Sequence, residues 1–350
     1  MTVQRVLMGL AAGCVSLVML CVPAGGGPSA DHTGQSLDTP TNAAPVLYRL
    51  NRPSTYINGC FEPCLCPMQF VEEVRGTFKR SPMASSSNTI RRWRVSEVNW
   101  HVPLGNGIRV TGSGVYSVGT PFAITLMMHR LELDLVVGDQ QTQRFDSGWL
   151  PLTNASDLTR IAIDISMNGM VCFDTVFEID AAPVPANEIR PHVLVHSQFL
   201  EGCYDPCDCA LFQHGLFGTM NLVSLDASNT SSRRYWAVTD IQWLIGPGAN
   251  SPAIIGPRSR ATGYGIYTRG PSGNTLTPSH RMIADLFAAQ NTPERYDSGN
   301  VPAPPQTTPA TAIDIAVANN GFVCFNRVFD LVGVPVSNSP ALSPGAVAAP

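Results

Sequence analysis

At 350 residues, with 44% hydrophobic and 14% charged side chains, the chain has a globular composition and room for two domains of ordinary size. A formal net charge of −4 is too mild to make nucleic acid or an anionic membrane surface the expected partner. The same balance excludes a disordered chain, whose low hydrophobicity and high charge would leave too little to bury.

The chain order begins with an export signal. Arg5 supplies a short positive region, residues 6–22 are apolar, and Val22-Pro23-Ala24 offers small residues before a cut. Residues 1–24 are read as a signal peptide, so the mature protein is expected to be secreted, extracellular or periplasmic. The apolar run is short for a spanning helix and no second candidate follows, so no membrane span is expected in the mature chain. Cys14 sits too early in that run for a lipid-anchor motif. Residues 25–45, rich in Gly, Pro, Ser and Thr, read as a flexible leader.

Two similar halves follow. Tyr56 to Cys66 reads YINGCFEPCLC and Phe199 to Cys209 reads FLEGCYDPCDC. WRVSEVNW from Trp93 returns as WAVTDIQW from Trp236, and NGMVCFDTVF from Asn168 as NGFVCFNRVF from Asn320. Self-similarity at this spacing predicts tandem domains of one fold: residues 46–184, a Pro-containing linker at 185–191, and residues 192–336, trailed by a Pro/Ala/Ser tail at 337–350.

Within each half the hydrophobic period is two. Leu131, Leu133 and Leu135 alternate with Glu132 and Asp134; Ile161, Ile163 and Ile165 alternate with Ala162 and Asp164. Frequent Gly, Pro, Asn and Asp clusters and no long amphipathic helix predict an all-β fold, an antiparallel sandwich or small barrel in each half. Trp93 and Val95 differ in parity from Val98, Trp100 and Val102, and the second half makes the same switch. A strand can bury both sets only if a residue is inserted, which predicts β-bulges at Ser96-Glu97 and Thr239-Asp240. Between Trp243 and Gly263 the second half carries a Gly- and Pro-loaded stretch, 246–261, eight residues longer than its counterpart and read as a surface loop.

Without the signal, eight cysteines remain: Cys60, Cys64, Cys66 and Cys172, then Cys203, Cys207, Cys209 and Cys324. An even count in an exported chain favours disulfides over a four-thiolate zinc site, whose ligands usually arrive as C-x2-C pairs. Cys172 and Cys324 have no local partner. Each is expected to bond one cysteine of its own early trio, leaving the other two to pair locally, with the short Cys64–Cys66 ring the least favoured choice.

No G-x-S-x-G, H-E-x-x-H or phosphate-loop motif occurs, and no cofactor is expected. His129 and His280, each followed by arginine, fit hydrogen-bonded structural histidines in a strand. Asp146, Asp164, Asp297 and Asp314 recur in both halves and are the candidates for calcium; turn capping and cross-strand pairing with arginine are the favoured alternatives. Asp174 becomes Asn326, so an acid at that position could serve only one half. Asn154 and Asn229 head Asn-x-Ser sequons. Lys79 and Arg80 with Arg91, Arg92 and Arg94 read as a solvated strand end, and the scarcity of lysine, Lys79 alone among the basic residues, as coding bias. The expectation is a non-catalytic binding or structural module, with an extracellular protein or glycan as the class of partner. The alternative is a secreted glycan hydrolase using Asp146, Asp164 or Asp174, which would require two carboxyls facing a cleft.

Overall fold

The computed structural model describes residues 43–64, 66, 68–84, 89–121, 126–152, 158–226, 232–246, 259–271, 278–288, 292–305 and 312–336. The signal, nearly all of the leader, both sequons, most of the long loop and the tail lie outside the described residues. Among those described the regular secondary structure is almost wholly strand, and no helix is long and apolar enough to cross a membrane.

The first half contributes β1 (Val46–Leu50), β2 (Thr55–Cys60), β3 (Gln69–Glu73), β4 (Arg75–Pro82), β5 (Ile90–Val102), β6 (Ile108–Gly119), β7 (Met128–Val137), β8 (Gln143–Asp146), β9 (Leu150–Pro151), β10 (Ile161–Ser166) and β11 (Phe173–Pro183). Their antiparallel ladder runs β1-β4-β5-β6-β7-β8-β10-β11 and returns to β1 through Tyr48↔Pro183. The sequence left sandwich and barrel open; this pairing is a sheet closed on itself. Its thinnest seam is one residue pair, Ser166↔Asp146 between β10 and β8. β11 is longer than β1, and its first half pairs instead with β2, which carries β3 on its other edge. The β2–β3 hairpin therefore continues past the closed ring as a separate tip.

The second half repeats the plan with β12 (Ile189–Leu194), β13 (Ser197–Tyr204), β14 (Leu211–Ser224), β15 (Arg234–Ile245), β16 (Ser259–Pro271), β17 (Pro278–Ala288), β18 (Glu294–Asp297), β19 (Val301–Pro302), β20 (Ile313–Ala318) and β21 (Cys324–Pro335). Here β12 closes the ring between β14 and β21, while β13 and the start of β14 form the tip. Among the described residues no strand is shared between the two sheets.

The alternation read from the sequence is what fills each ring. Leu131, Leu133, Leu135, Ile161, Ile163 and Ile165 are all buried, around Trp100, Phe145 and Phe177. Trp243, Phe199, Tyr296 and Phe329 make the matching cluster. Backbone comes unusually close to each tryptophan. A Cβ on Gly76 (φ 154°) would meet the Asn99 carbonyl at 2.2 Å, and one on Gly218 (φ 137°) the Gln242 carbonyl at 2.1 Å, so both positions require glycine.

Both expected bulges are present. Pairing slips between Val95 and Val98 on β5 and between Val238 and Ile241 on β15, with Glu97 (φ 50°) and Asp240 (φ 49°) in the left-handed region. Val95, Val98, Trp100 and Val102 all become buried despite their mixed parity.

The two sheets pack against each other rather than hanging from the linker. Lys79, read as part of a solvated strand end, instead reaches both bulges, 2.8 Å from Glu97 and 2.8 Å from Asp240. Arg91, Arg92 and Arg94 are exposed, as expected. Deeper in, Arg109 on β6 lies 3.1 Å from Asp285 on β17, with both side chains more than nine-tenths buried, and Asn99 donates to the Gly265 carbonyl at 2.8 Å. Arg75 bonds Asp226 at 2.7 Å and stacks over Tyr235, while Val184, Val223, Leu225, Ala237 and Ile266 form a small apolar cluster at the junction.

These contacts rank by burial. Asp285→Ala leaves the Arg109 guanidinium buried without its carboxylate and should cost about 3–5 kcal/mol in urea unfolding. Lys79→Met, at a half-open site, should cost no more than about 1 kcal/mol, and less still in high salt.

Candidate functional site

Each tip is built around four cysteines placed at bonding distance: Cys60 with Cys66, Cys64 with Cys172, Cys203 with Cys209, and Cys207 with Cys324. Their Cα–Cα separations are 5.6, 4.7, 5.1 and 4.8 Å, within the usual disulfide range. Each late cysteine thus takes the middle member of its own trio, and the outer two pair locally. The local bridge holds the segment leaving β2 or β13. The long bridge ties that segment to the turn that enters β11 or β21. Hydrogen bonds follow the same path, with Phe61 N–H donating to the Cys172 carbonyl at 2.8 Å.

Asp174 explains the turn beneath. It is fully buried at the start of β11, and its carboxylate accepts the backbone N–H groups of Met167, Asn168, Met170 and Thr175 at 2.7–3.1 Å. Asn326 occupies the matching place, accepting from Asn320 N–H at 2.9 Å and donating to the Val323 carbonyl at 2.9 Å. The Asp-to-Asn difference between the halves therefore preserves an acceptor for one turn. With Asp174 or Asn326 turned inward, the preceding residue must point out. Phe173 is 62% exposed and Phe325 55% exposed, and they are joined by Val171, Phe70 and Val71 on one tip and Val323, Leu211 and Phe212 on the other. Sequence reasoning passed over these apolar residues; the signal available was that a strand-phase neighbour of an inward polar side chain faces solvent.

The calcium candidates do not converge. Asp146 accepts from Arg130 Nε at 2.9 Å and from Gly148 N–H at 2.8 Å, and Asp297 repeats this with Arg281 and Gly299. The Arg130 bond, opposed by partial burial, holds the Asp146 carboxyl below its ordinary value. Asp164 faces Glu178 across β10 and β11 rather than the arginine expected there; desolvation and then the Glu178 charge push its carboxyl up. Asp314 lies beside Asp330, again with no arginine across the strand among the described residues. No group of three His, Cys, Asp or Glu suited to a metal ion occurs among the described residues. The three acids considered for hydrolysis have separate employments: Asp146 in an ion pair, Asp174 in a turn, Asp164 on the outer wall opposite Glu178.

His129 and His280 pair with the hydroxyls of Tyr116 and Tyr267 at 3.2 and 3.1 Å, in buried positions where desolvation lowers their affinity for protons. A third histidine went unremarked in the sequence. His101, at the end of β5, is buried between the sheets beside the Tyr235 ring, and its Nδ1 has no partner among the described residues. It borders a cavity of about 280 Å³ to which both sheets contribute, with Arg233, Arg281, Asn106 and Asn300 among its walls. Burial foremost, then the charges of Arg109, Arg281, Arg233 and Arg75, pull its pKa down to about 3.

Compared with protein-family models, with curated proteins and with solved structures, the chain matches none.

The bridges differ in the chain entropy they remove. Cys64–Cys172 spans 108 positions and Cys60–Cys66 only 6, worth on the order of 5 and 2 kcal/mol in the chain-entropy account. Denaturant melts should therefore show Cys172→Ser to be markedly more destabilising than Cys60→Ser. The His101 environment sets a pH response. Between its folded value of about 3 and an unfolded value near 6.5, the unfolded chain binds a proton that the folded one refuses, so stability falls as pH falls across that window. The slope from this group approaches about 1.4 kcal/mol per pH unit, and His101→Gln should flatten the stability–pH curve between roughly pH 6 and pH 4.

Proposed function

We propose that this chain is an exported, non-catalytic binding or structural module, made of two related β-domains that arose by duplication and that present their stapled tips to an extracellular protein or glycan. The observation that carries this reading is the pairing of rigidity with exposure at both tips. Phe173 and Phe325 are more than half exposed, yet each lies one residue beyond a disulfide-bonded cysteine and one before a fully buried turn-capping side chain. Fixing such a group beforehand removes part of the ordering cost of association, and exposed aromatics of this kind are favoured as interface anchors. Recurrence of the same arrangement in both halves supports a role served twice, and two sites on one chain would gain from avidity. Export is supported by the apolar N-terminal segment and by cysteines placed to oxidise.

The test compares the wild type with the double variant Phe173→Ser, Phe325→Ser on arrays of glycans and extracellular proteins, with circular dichroism and thermal melting as controls for folding. Binding that falls at least tenfold in a folded double variant is the expected result. Turnover of a polysaccharide, abolished by Asp164→Asn with the fold intact, would replace this reading with the hydrolase.

A further inference from the structure

We propose that the cavity between the two sheets is a binding site for a small molecule carrying a carboxylate or sulfate group. This proposal is independent of the tips. At about 280 Å³ the cavity sits at the small end of ligand pockets, large enough for an acidic monosaccharide or a compact organic acid. Two guanidinium groups, Arg233 and Arg281, line it, and no aspartate or glutamate does. The rest of its polar wall is Asn106, Asn300, Thr268, Tyr235 and His101, all able to donate a hydrogen bond.

The arginines are held in place before any ligand arrives. Arg281 is fixed on one side by Asp297, at 2.9 Å from Nε, and spans the two sheets by donating from Nη1 to the Asn106 carbonyl at 2.7 Å. Arg233 donates to Asn300 Oδ1 at 2.8 Å and to Thr268 Oγ1 at 3.3 Å. Such guanidinium groups lose little freedom when an anion docks, and their planar array of donors suits a carboxylate or sulfate oxygen set. His101 supplies a second, separate pointer. It is more than nine-tenths buried at the cavity wall, yet Nδ1 has no partner among the described residues. A buried ring nitrogen without a partner carries a desolvation cost that a guest able to hydrogen-bond can remove. The Tyr235 hydroxyl likewise forms no hydrogen bond among the described residues while its ring packs on His101. Gly107 fixes this wall. It has φ 87°, and a Cβ there would come within 2.2 Å of His101 Cε1. Two guanidinium groups with no carboxylate in the lining make the recess electropositive, which favours an anion.

Both sheets furnish the walls, so an occupant should tighten their packing as well as fill the space. The experiment titrates the full-length secreted protein with sodium glucuronate, with sodium sulfate and, as a neutral control, with glucose, at constant ionic strength, reading both calorimetric heat and the thermal midpoint. Saturable binding of glucuronate, of sulfate or of both, with a raised midpoint and none with glucose, is the expected result. Glucuronate alone would assign the site to carboxylates, and sulfate alone to sulfated ligands. Arg233→Gln should weaken the binding at least tenfold. Should that variant fold poorly, Tyr235→Phe, which keeps the ring that packs on His101, should weaken it severalfold. No saturable binding of either anion at about 10 mM, equal binding of glucose, or unchanged affinity in both folded variants would overturn the proposal.

Discussion

The inserted residue in β5 and its partner in β15 is the constraint on which the rest of the molecule depends. A strand keeps one parity inward only while its pairing stays in register, and the residue inserted in β5, as in β15, switches that parity partway along. That switch brings Val95 and Trp100 into the same core, and Val238 and Trp243 into the other. It also forces Glu97 and Asp240 into the left-handed region, where their carboxylates leave the ladder and meet on one ammonium group, that of Lys79. Core packing within each sheet and contact between the sheets therefore trace to the same local irregularity.

Contact between the sheets uses different faces of the two halves, so matching sequence positions meet different surroundings. Asp134 and Asp285 occupy equivalent places after the shared His-Arg pair. Asp134 lies exposed, 3.7 Å from Arg144, whereas Asp285 is buried against Arg109. Arg75 and Phe217 each precede the glycine that lies against a tryptophan. Arg75 is buried in the junction and Phe217 is 61% exposed. A head-to-tail contact between like units has this consequence, because each unit offers one face and receives on another. The cavity beside His101 belongs to that asymmetric contact, and Leu244, at the position matching His101, does not line it.

The tips follow a different logic. There the halves agree in chemistry even where they differ in residue: Asp174 and Asn326 cap one turn, Val171 and Val323 stand exposed beside it, and the bridge pattern is the same. Polar contacts at the junction differ between the halves, and the stapled tips agree.

The sequence by itself determined the elements whose causes are local or periodic. Strand content follows from alternation, the bulges from a change of parity, the structural character of His129 and His280 from their place within an alternating strand, and the membership of each disulfide set from the absence of a local partner for Cys172 and Cys324. The tertiary structure alone decided what depends on which surfaces meet. Closure of each ladder rests on β1 and β12 returning to the last strand of their own half, and alternation reads the same in an open sheet as in a closed one. Arg109 and Asp285, or His101 and Arg233, are ordinary polar residues far apart along the chain, carrying no pattern that marks them as partners. Their roles come from distance and exclusion of water, quantities that exist only once the two sheets are packed together.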